Sequence, residues 1–355
     1  MLLFAAVEAE GQADTLWVDA RELTVEGQGW SATERPYDRL PLQAKGVVPD
    51  GVWGLQKQSA GIAVRFRSDA QWIACRWKLG SEKLAMDHMP ATGVSGVDLY
   101  MRMPAELRKP SGQIWHWIGV GRPTQQEMES KIAGGIPQGE HEFTLYLPLY
   151  NSTAALEVGV PVDASIVAAA PRGKPFVVWG TSITQGGCAS RPGMAYPAIM
   201  GRWLDRPHIN LGFSGNGQMQ PEVTRFLAQL DASVFVIDCL PNLSPELVTQ
   251  RTAPVVLALR QAHPETPIVL VENIEYQASA ALPGPRHSYQ SKNAALRAVY
   301  EQLIADGVTG LTYVEGEPLF GNDGEATVDG THATDVGFLR MAEGLTPVLR
   351  DLLTD

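Results

Sequence analysis

Between about Trp17 and Val160, apolar and polar residues alternate over short stretches: Ile62 to Phe66, Trp72 to Leu79, Val97 to Arg102 and Phe143 to Leu147, with turn residues between them. A period of two puts successive side chains on opposite faces of a strand, so each stretch predicts a half-buried β-strand. No helical periodicity separates them, which points to an antiparallel β-sandwich of the jelly-roll kind. The rhythm changes after the Ala-, Pro- and Gly-rich stretch Ala164 to Lys174. From there continuous apolar runs (Phe176 to Trp179, Ile209 to Leu211, Val234 to Leu240, Ile268 to Val271, Leu311 to Val314) alternate with helical stretches (Tyr196 to Leu204, Glu222 to Leu230, Pro245 to Ala262, Tyr289 to Asp306, Asp335 to Leu352). Strands that are apolar on both faces and separated by helices predict an α/β unit, a parallel five-stranded sheet covered by helices on both sides. Two domains are expected, an accessory sandwich over residues 1–165 and an α/β domain over 166–355. Ligands gather at the C-terminal ends of strands in such a sheet.

Composition narrows the function. The chain has 355 residues, 45% hydrophobic and 19% charged, enough to bury two cores as a soluble globular protein. Its formal net charge is -11 and no Lys/Arg-rich run offsets it, which argues against nucleic acid as a partner. No apolar run approaches the roughly 20 residues that span a bilayer. Met1 to Val7 is apolar but lacks a basic leader, so a removed signal peptide and a periplasmic or secreted location stay open beside a cytoplasmic one. Cys75, Cys188 and Cys239 are too few and scattered for a disulfide framework or a paired-Cys metal site, and are expected as core or loop thiols. Glu140, His141 and Glu142 stand on an alternating strand whose neighbours face opposite ways, so they predict charged rim residues rather than a metal site. No cofactor or metal is expected.

The candidate chemistry lies at strand ends. Phe176 to Gly187 is a buried strand running into a turn that carries Ser182 just past its end. There a following helix directs backbone N–H groups at a developing oxyanion, although a turn serine or a helix N-cap has the same local sequence. Asp329 and His332 stand three residues apart in a turn-rich stretch before the last helix. On a bent loop that spacing lets a carboxylate hold one imidazole nitrogen while the other acts as general base, the arrangement a serine nucleophile needs; a capping Asp beside a surface His has the same spacing. Two further strand ends carry Gly215 and Asn242. A glycine offers an open backbone N–H and an asparagine a side-chain amide, so with the Ser182 N–H they form a candidate oxyanion hole of three donors.

These blocks, in this order, resemble the SGNH hydrolase superfamily, or GDSL-type esterases, over about residues 174–355. Gly180-Thr181-Ser182-Ile183 corresponds to its first block, with Thr181 where the family name has Asp; Gly215, Asn242 and Asp329-x-x-His332 correspond to the others. The third block reads Leu240-Pro241-Asn242-Leu243 instead of the usual Gly-x-Asn-Asp. Gly96-Val97-Asp98-Leu99-Tyr100 resembles the Gly-x-Asp-Leu-Tyr signature of a β-sandwich found in front of a subset of bacterial SGNH esterases, and Tyr37 to Pro41 fits the same module. The resemblance implies a flavodoxin-like catalytic domain, Ser182 as nucleophile, His332 as base and then acid, Asp329 as its orienting carboxylate, and Gly215 and Asn242 in the oxyanion hole.

It also implies hydrolysis of short esters, with acetyl groups on carbohydrate the first choice; the lack of a long apolar lid-like helix agrees with a short acyl group. The substrate is then a small molecule or a glycan ester. The sandwich could supply the pocket wall, through Asp87, His88 and Met89 or through Trp115, His116 and Trp117. Two alternatives remain: an acyltransferase that uses the same serine, and a non-catalytic carbohydrate-binding protein. Asn151-Ser152-Thr153 and Asn242-Leu243-Ser244 match the glycosylation acceptor pattern, read here as coincidence. Oligomeric state is not legible.

Overall fold

The computed structural model describes residues 14–105, 108 and 113–353, so the Met1 to Val7 stretch lies outside the described residues. The first part holds strands β1 (Thr15–Asp19), β2 (Thr24–Glu26), β3 (Ala63–Ser68), β4 (Trp72–Leu79), β5 (Val97–Arg102), β6 (Trp115–Gly121), β7 (Glu127–Gly134), β8 (His141–Tyr146), β9 (Thr153–Pro161) and β10 (Ile166–Ala168), and short helices α1 (Asp50–Leu55) and α2 (Ala91–Val94). The second part holds β11 (Phe176–Gly180), α3 (Ser182–Gln185), α4 (Tyr196–Trp203), β12 (His208–Gly212), α5 (Pro221–Leu227), β13 (Val234–Asp238), α6 (Pro245–Ala262), β14 (Ile268–Val271), α7 (Pro283–Ala305), β15 (Leu311–Val314) and α8 (Asp335–Leu352).

The early strands form two antiparallel sheets, β1-β9-β4-β7 and β10-β3-β8-β5-β6, with β2 also paired to β3. Alternation fills the space between them: Ile73, Cys75, Trp77 and Leu79 of β4 meet Val64, Phe66, Leu99, Phe143 and Leu145 of the other sheet in one core. The later strands form a parallel sheet in the order β12-β11-β13-β14-β15. Numbered from its own first strand this is 2-1-3-4-5, the flavodoxin-like order, whose direction reverses beside β11. The fold is therefore a flavodoxin-like α/β sheet preceded by an antiparallel sandwich.

Every residue of β11, β12 and β13 is buried, which explains why these strands carry no alternation. Val177, Trp179, Ile209, Leu211 and Phe235 line one core face, and Phe176, Val178, Val234 and Val236 the other. The segment before β3 crosses to this sheet: Leu40, Ala44, Val48 and Val52 lie in the same core as Val177 and Leu211. Arg39, 1% exposed, spans the join. Its guanidinium donates to the Asn210 and Gly212 carbonyls of β12 at 3.2 and 2.6 Å, and to the Leu55 and Gln58 carbonyls at 2.8 Å each.

A second join lies along β5. Asp98 and Tyr100, two residues apart, share a face of the strand and turn to the α/β part, while Leu99 enters the sandwich core. Asp98 Oδ2 accepts from Arg191 Nη1 and from the Gly193 N–H, both at 2.8 Å, and Oδ1 accepts from Trp117 Nε1 at 2.8 Å. A Cβ at Gly193 would come within 2.5 Å of the Tyr100 ring and 2.7 Å of Asp98 Oδ2, so only glycine allows this approach. Nearby, Asp205 accepts from Arg102 Nη1 at 2.9 Å and from Trp115 Nε1 at 2.9 Å.

Candidate active site

β11 ends at Gly180 and the chain turns at once into α3. Thr181, extended at φ -105° and ψ -158°, caps that short helix by accepting the Ile183 N–H on its hydroxyl at 3.2 Å. The hydroxyl that stands in place of the family's Asp is thus consumed in building the turn. Ser182 follows as the first helical residue, its carbonyl gripped by the Gly186 and Gly187 N–H groups at 3.0 and 2.7 Å and by the Tyr150 hydroxyl at 3.2 Å. Below the turn, Thr184 Oγ1 and the Tyr196 hydroxyl donate to Asp238 Oδ2 at 3.1 and 2.8 Å. Burial pushes the Asp238 carboxyl up to about 7 against the pull of these two donors.

The loop before α8 supplies the partner groups. It is closed by the Val328 N–H bonding to the His332 carbonyl at 2.8 Å, and Gly330 takes a positive φ of 90° at its tip. Asp329 Oδ1 accepts the backbone N–H groups of Thr331 and His332 at 3.1 and 2.8 Å, which leaves Oδ2 to take His332 Nδ1 at 2.7 Å. His332 Nε2 then meets Ser182 Oγ at 2.9 Å. Burial raises the Asp329 carboxyl, but the His332 and Thr331 donors outweigh it and hold it below its ordinary value. With the carboxylate on Nδ1, the neutral imidazole carries its proton there and turns a free lone pair on Nε2 toward the serine hydroxyl.

Gly215 and Asn242 come from the ends of β12 and β13. Gly215 has a φ of 68° and open space where a Cβ would stand. Asn242 Oδ1 accepts the Gly217 N–H at 3.3 Å, so its Nδ2 end remains to donate. Gly217 packs against the end of β11, where a Cβ would fall 1.9 Å from the Gly180 carbonyl. The β12 turn, Asn242 and the nucleophile turn are thereby drawn together. The neighbouring Ser214 N–H is held by Gln185 Oε1 at 3.0 Å.

The two candidate walls have different fates. His88 reaches the site, its ring edge-on to His332 with centroids 5.8 Å apart. Trp115 and Trp117 instead spend their ring nitrogens on Asp205 and Asp98 at the joins. Cys188 sits beside His332; its ligand sulfur and the ring nitrogens of His88 and His332 all lie within 4.8 Å of one another. Burial, with the Asp329 charge adding to it, pushes the Cys188 thiol up to about 12. Cys75 and Cys239 are buried in the two cores. Glu140 pairs with Arg67 as an exposed rim charge, whereas Glu142 pairs with the buried Arg65 and is not one. Asn151 is 2% exposed and its amide donates to Ser81 and Ser95 at 3.0 Å each, so the first acceptor pattern is inaccessible. A cavity of about 810 Å³ between α5 and α6, lined by Met219, Thr224, Arg251 and Val255 among others, includes none of the site residues. No helix among the described residues is long and apolar enough to cross a membrane.

Residues 173–350 match the GDSL-like lipase/acylhydrolase family model, and residues 15–166 match the GxDLY module, described as the N-terminus of SGNH-hydrolase-type esterases. No curated protein matches the chain. Among solved structures, one described as a GDSL-like lipase from Bacteroides ovatus is 35% identical, with a TM-score of 0.88 over 96% of this chain and 98% of that one. A salicylyl-acyltransferase of a tetracycline biosynthetic pathway aligns at 20% identity and a TM-score of 0.74 over 97% and 98%. An acetyl xylan esterase from the rumen bacterium Butyrivibrio proteoclasticus aligns at 9% and 0.57 over 95% and 98%. The last two are likenesses of fold.

Proposed function

The chain belongs to the GDSL-like lipase/acylhydrolase family, and from that premise we propose that it is a serine esterase that removes short acyl groups, acetyl first, from carbohydrate. The observation that carries this reading is the unbroken chain of hydrogen bonds from Ser182 Oγ through the His332 ring to Asp329, at 2.9 and 2.7 Å. In it residues 1–165 act as the accessory sandwich and 166–355 as the catalytic domain.

His332 Nε2 takes the Ser182 proton as Oγ attacks the ester carbonyl, and Asp329 steadies the imidazolium that forms. The tetrahedral oxyanion is met by the Ser182 and Gly215 N–H groups and by Asn242 Nδ2; among the described residues neither N–H has an acceptor within the protein. His332 then protonates the leaving alcohol, which departs and leaves Ser182 acylated. Water, deprotonated by His332, attacks the acyl-enzyme and releases the acid. The short acyl preference is supported by the neighbours of the catalytic turn, where Tyr150 holds the Ser182 carbonyl at 3.2 Å and the His88 ring stands beside His332. The carbohydrate preference rests on the likeness of the two-part architecture to that of an acetyl xylan esterase.

Product analysis tests it. Peracetylated monosaccharides incubated with the protein are expected to yield free acetate in step with deacetylated sugar. Acyl transfer to an added alcohol in place of acetate release would make the protein an acyltransferase working with the same serine. Binding of acetylated sugar without any turnover would leave a carbohydrate-binding protein.

A further inference from the structure

His88, Cys188 and His332 come from three separate segments and from both parts of the molecule, yet their ligand atoms converge within 4.8 Å. Each is delivered by its own structure. His88 stands in the tight turn closed by the Met86 and Met89 backbone pair, and the side chain of Met89 is buried in the core of the α/β part, which pins that turn against it. Cys188 adopts a positive φ of 73°, and the loop that carries it is tied on both sides: the Ser190 N–H donates to Asp335 at 2.9 Å and the Ser190 carbonyl accepts from Thr92 Oγ1 at 2.6 Å. His332 is oriented by Asp329 on Nδ1, leaving Nε2 as its ligand atom.

We infer that these three side chains form a site for zinc or a similarly soft divalent ion, and that filling it switches off the serine beside it. Two imidazoles and a thiolate are the donor set that selects zinc over calcium or magnesium. A tetrahedral zinc holds nitrogen at about 2.0–2.1 Å and sulfur at about 2.3 Å, so its ligand atoms stand roughly 3.3–3.8 Å apart. Closing from a spacing of up to 4.8 Å takes shifts of about 1 Å shared among the three side chains, of which His88 is exposed. Asp329 and His332 already have the arrangement in which a carboxylate orients a metal-binding imidazole. On binding, the six-coordinate zinc aqua ion sheds five waters and keeps one beside the three ligands in a tetrahedral shell, Cys188 releases its thiol proton to solvent, and His332 Nε2 exchanges Ser182 Oγ for the metal. The serine thereby loses its base. The binding rests on geometry alone; the inhibition rests on the esterase reading above.

Titration of the full-length protein with cobalt(II) chloride, then displacement by zinc chloride, reads the site without reference to catalysis. One equivalent of cobalt is expected to bind with a near-ultraviolet thiolate charge-transfer band, and zinc to abolish it. His88→Ala and Cys188→Ser are expected to weaken zinc binding by on the order of 10–100-fold or more, and Cys188→Ser to abolish the band. Ser182→Ala, which keeps all three ligands, is expected to bind as wild type does. Ester turnover by wild type is expected to fall on adding zinc and to return with a chelator. Absence of the thiolate band, or zinc affinity unchanged in both His88→Ala and Cys188→Ser, would overturn the site. Zinc bound at this site with turnover unaffected would overturn the inhibition, and a wild type that binds zinc but hydrolyses no ester would count against the esterase reading and not against the site.

Discussion

Asp98 and Arg191 form an ion pair at 2.8 Å in which the carboxylate side chain is fully buried and the guanidinium 23% exposed. The first belongs to the sandwich strand β5; the second lies in the loop that leaves the nucleophile turn and enters α4. Burial pushes the Asp98 carboxyl up, and Arg191 and the Gly193 N–H pull it back. The pair therefore ties the Gly-x-Asp-Leu-Tyr signature to the loop that carries Cys188 and Ser190, so the signature serves both as sandwich core, through Val97 and Leu99, and as a joint between parts, through Asp98.

Asp98→Ala would strand Arg191 beside an apolar gap. Removing one member of a buried pair costs about 3–5 kcal/mol, and because Arg191 retains some contact with water the lower figure, about 3 kcal/mol, is expected. Chemical denaturation of wild type and variant checks this; an unchanged midpoint would mean the pair is not the joint described.

Arg39→Lys tests the other joint, between the segment before β3 and β12. One guanidinium serves four backbone carbonyls on both sides of the join, and a lysine ammonium has three donors and no planar fork to reach them. A buried carbonyl left without a donor costs about 1–3 kcal/mol, so a loss of at least about 2 kcal/mol is expected by the same measurement. Equal stability would show that Lys satisfies the same carbonyls.

Much of this molecule was legible in the sequence, and unevenly so. β4, β5, β14, β15, α6 and α8 span the predicted residues; β14 is buried on both faces, and Ser244 and Thr334 cap the first turns of the two helices at the predicted starts. β13 stops at Asp238, two residues short of the predicted end, because apolar Cys239 and Leu240 enter the core from a turn rather than from the strand. α7 begins at Pro283, ahead of the predicted Tyr289; prolines in a first helical turn have no N–H bond to lose, so they did not mark the end they suggest. The edge strands β1, β6 and β7 and the inner strand β9 are not predicted; in β7 charged Glu127, Glu129 and Lys131 line the exposed face. In the site, Ser182, Asp329 and His332 stand at motif spacings and meet in space. The meeting of His88 and Cys188 with His332 carries no sequence spacing, because it depends on how the sandwich docks.

Asp238 sets a pH dependence. Its folded value of about 7 lies above the roughly 3.9 of an unfolded aspartate. The native state therefore binds the proton more tightly, and its contribution to stability is full below about pH 4 and is lost as pH rises through about 7. Thermal midpoints across this range are expected to fall more for wild type than for Asp238→Asn, which keeps the shape and has no charge to bury. Parallel curves would refute the assignment.

Asn242→Ala removes one oxyanion donor and the second, longer acceptor of the Gly217 N–H, which keeps its bond to the Phe213 carbonyl at 2.8 Å. An oxyanion donor contributes about 10²–10³-fold to kcat, so kcat is expected to fall by about that factor with KM little changed. A change in KM alone would place Asn242 in ground-state binding instead.

In the proposed reaction Ser182 performs the chemistry. It is tested most directly by kcat/KM for p-nitrophenyl acetate with wild type and Ser182→Ala, measured side by side on folded protein. Ser182→Ala is expected to lose about 10⁴-fold or more, down to what the remaining donors sustain. Equal turnover by the two proteins would contradict it, and would mean that the hydrogen bond between Ser182 and His332 serves structure and not catalysis.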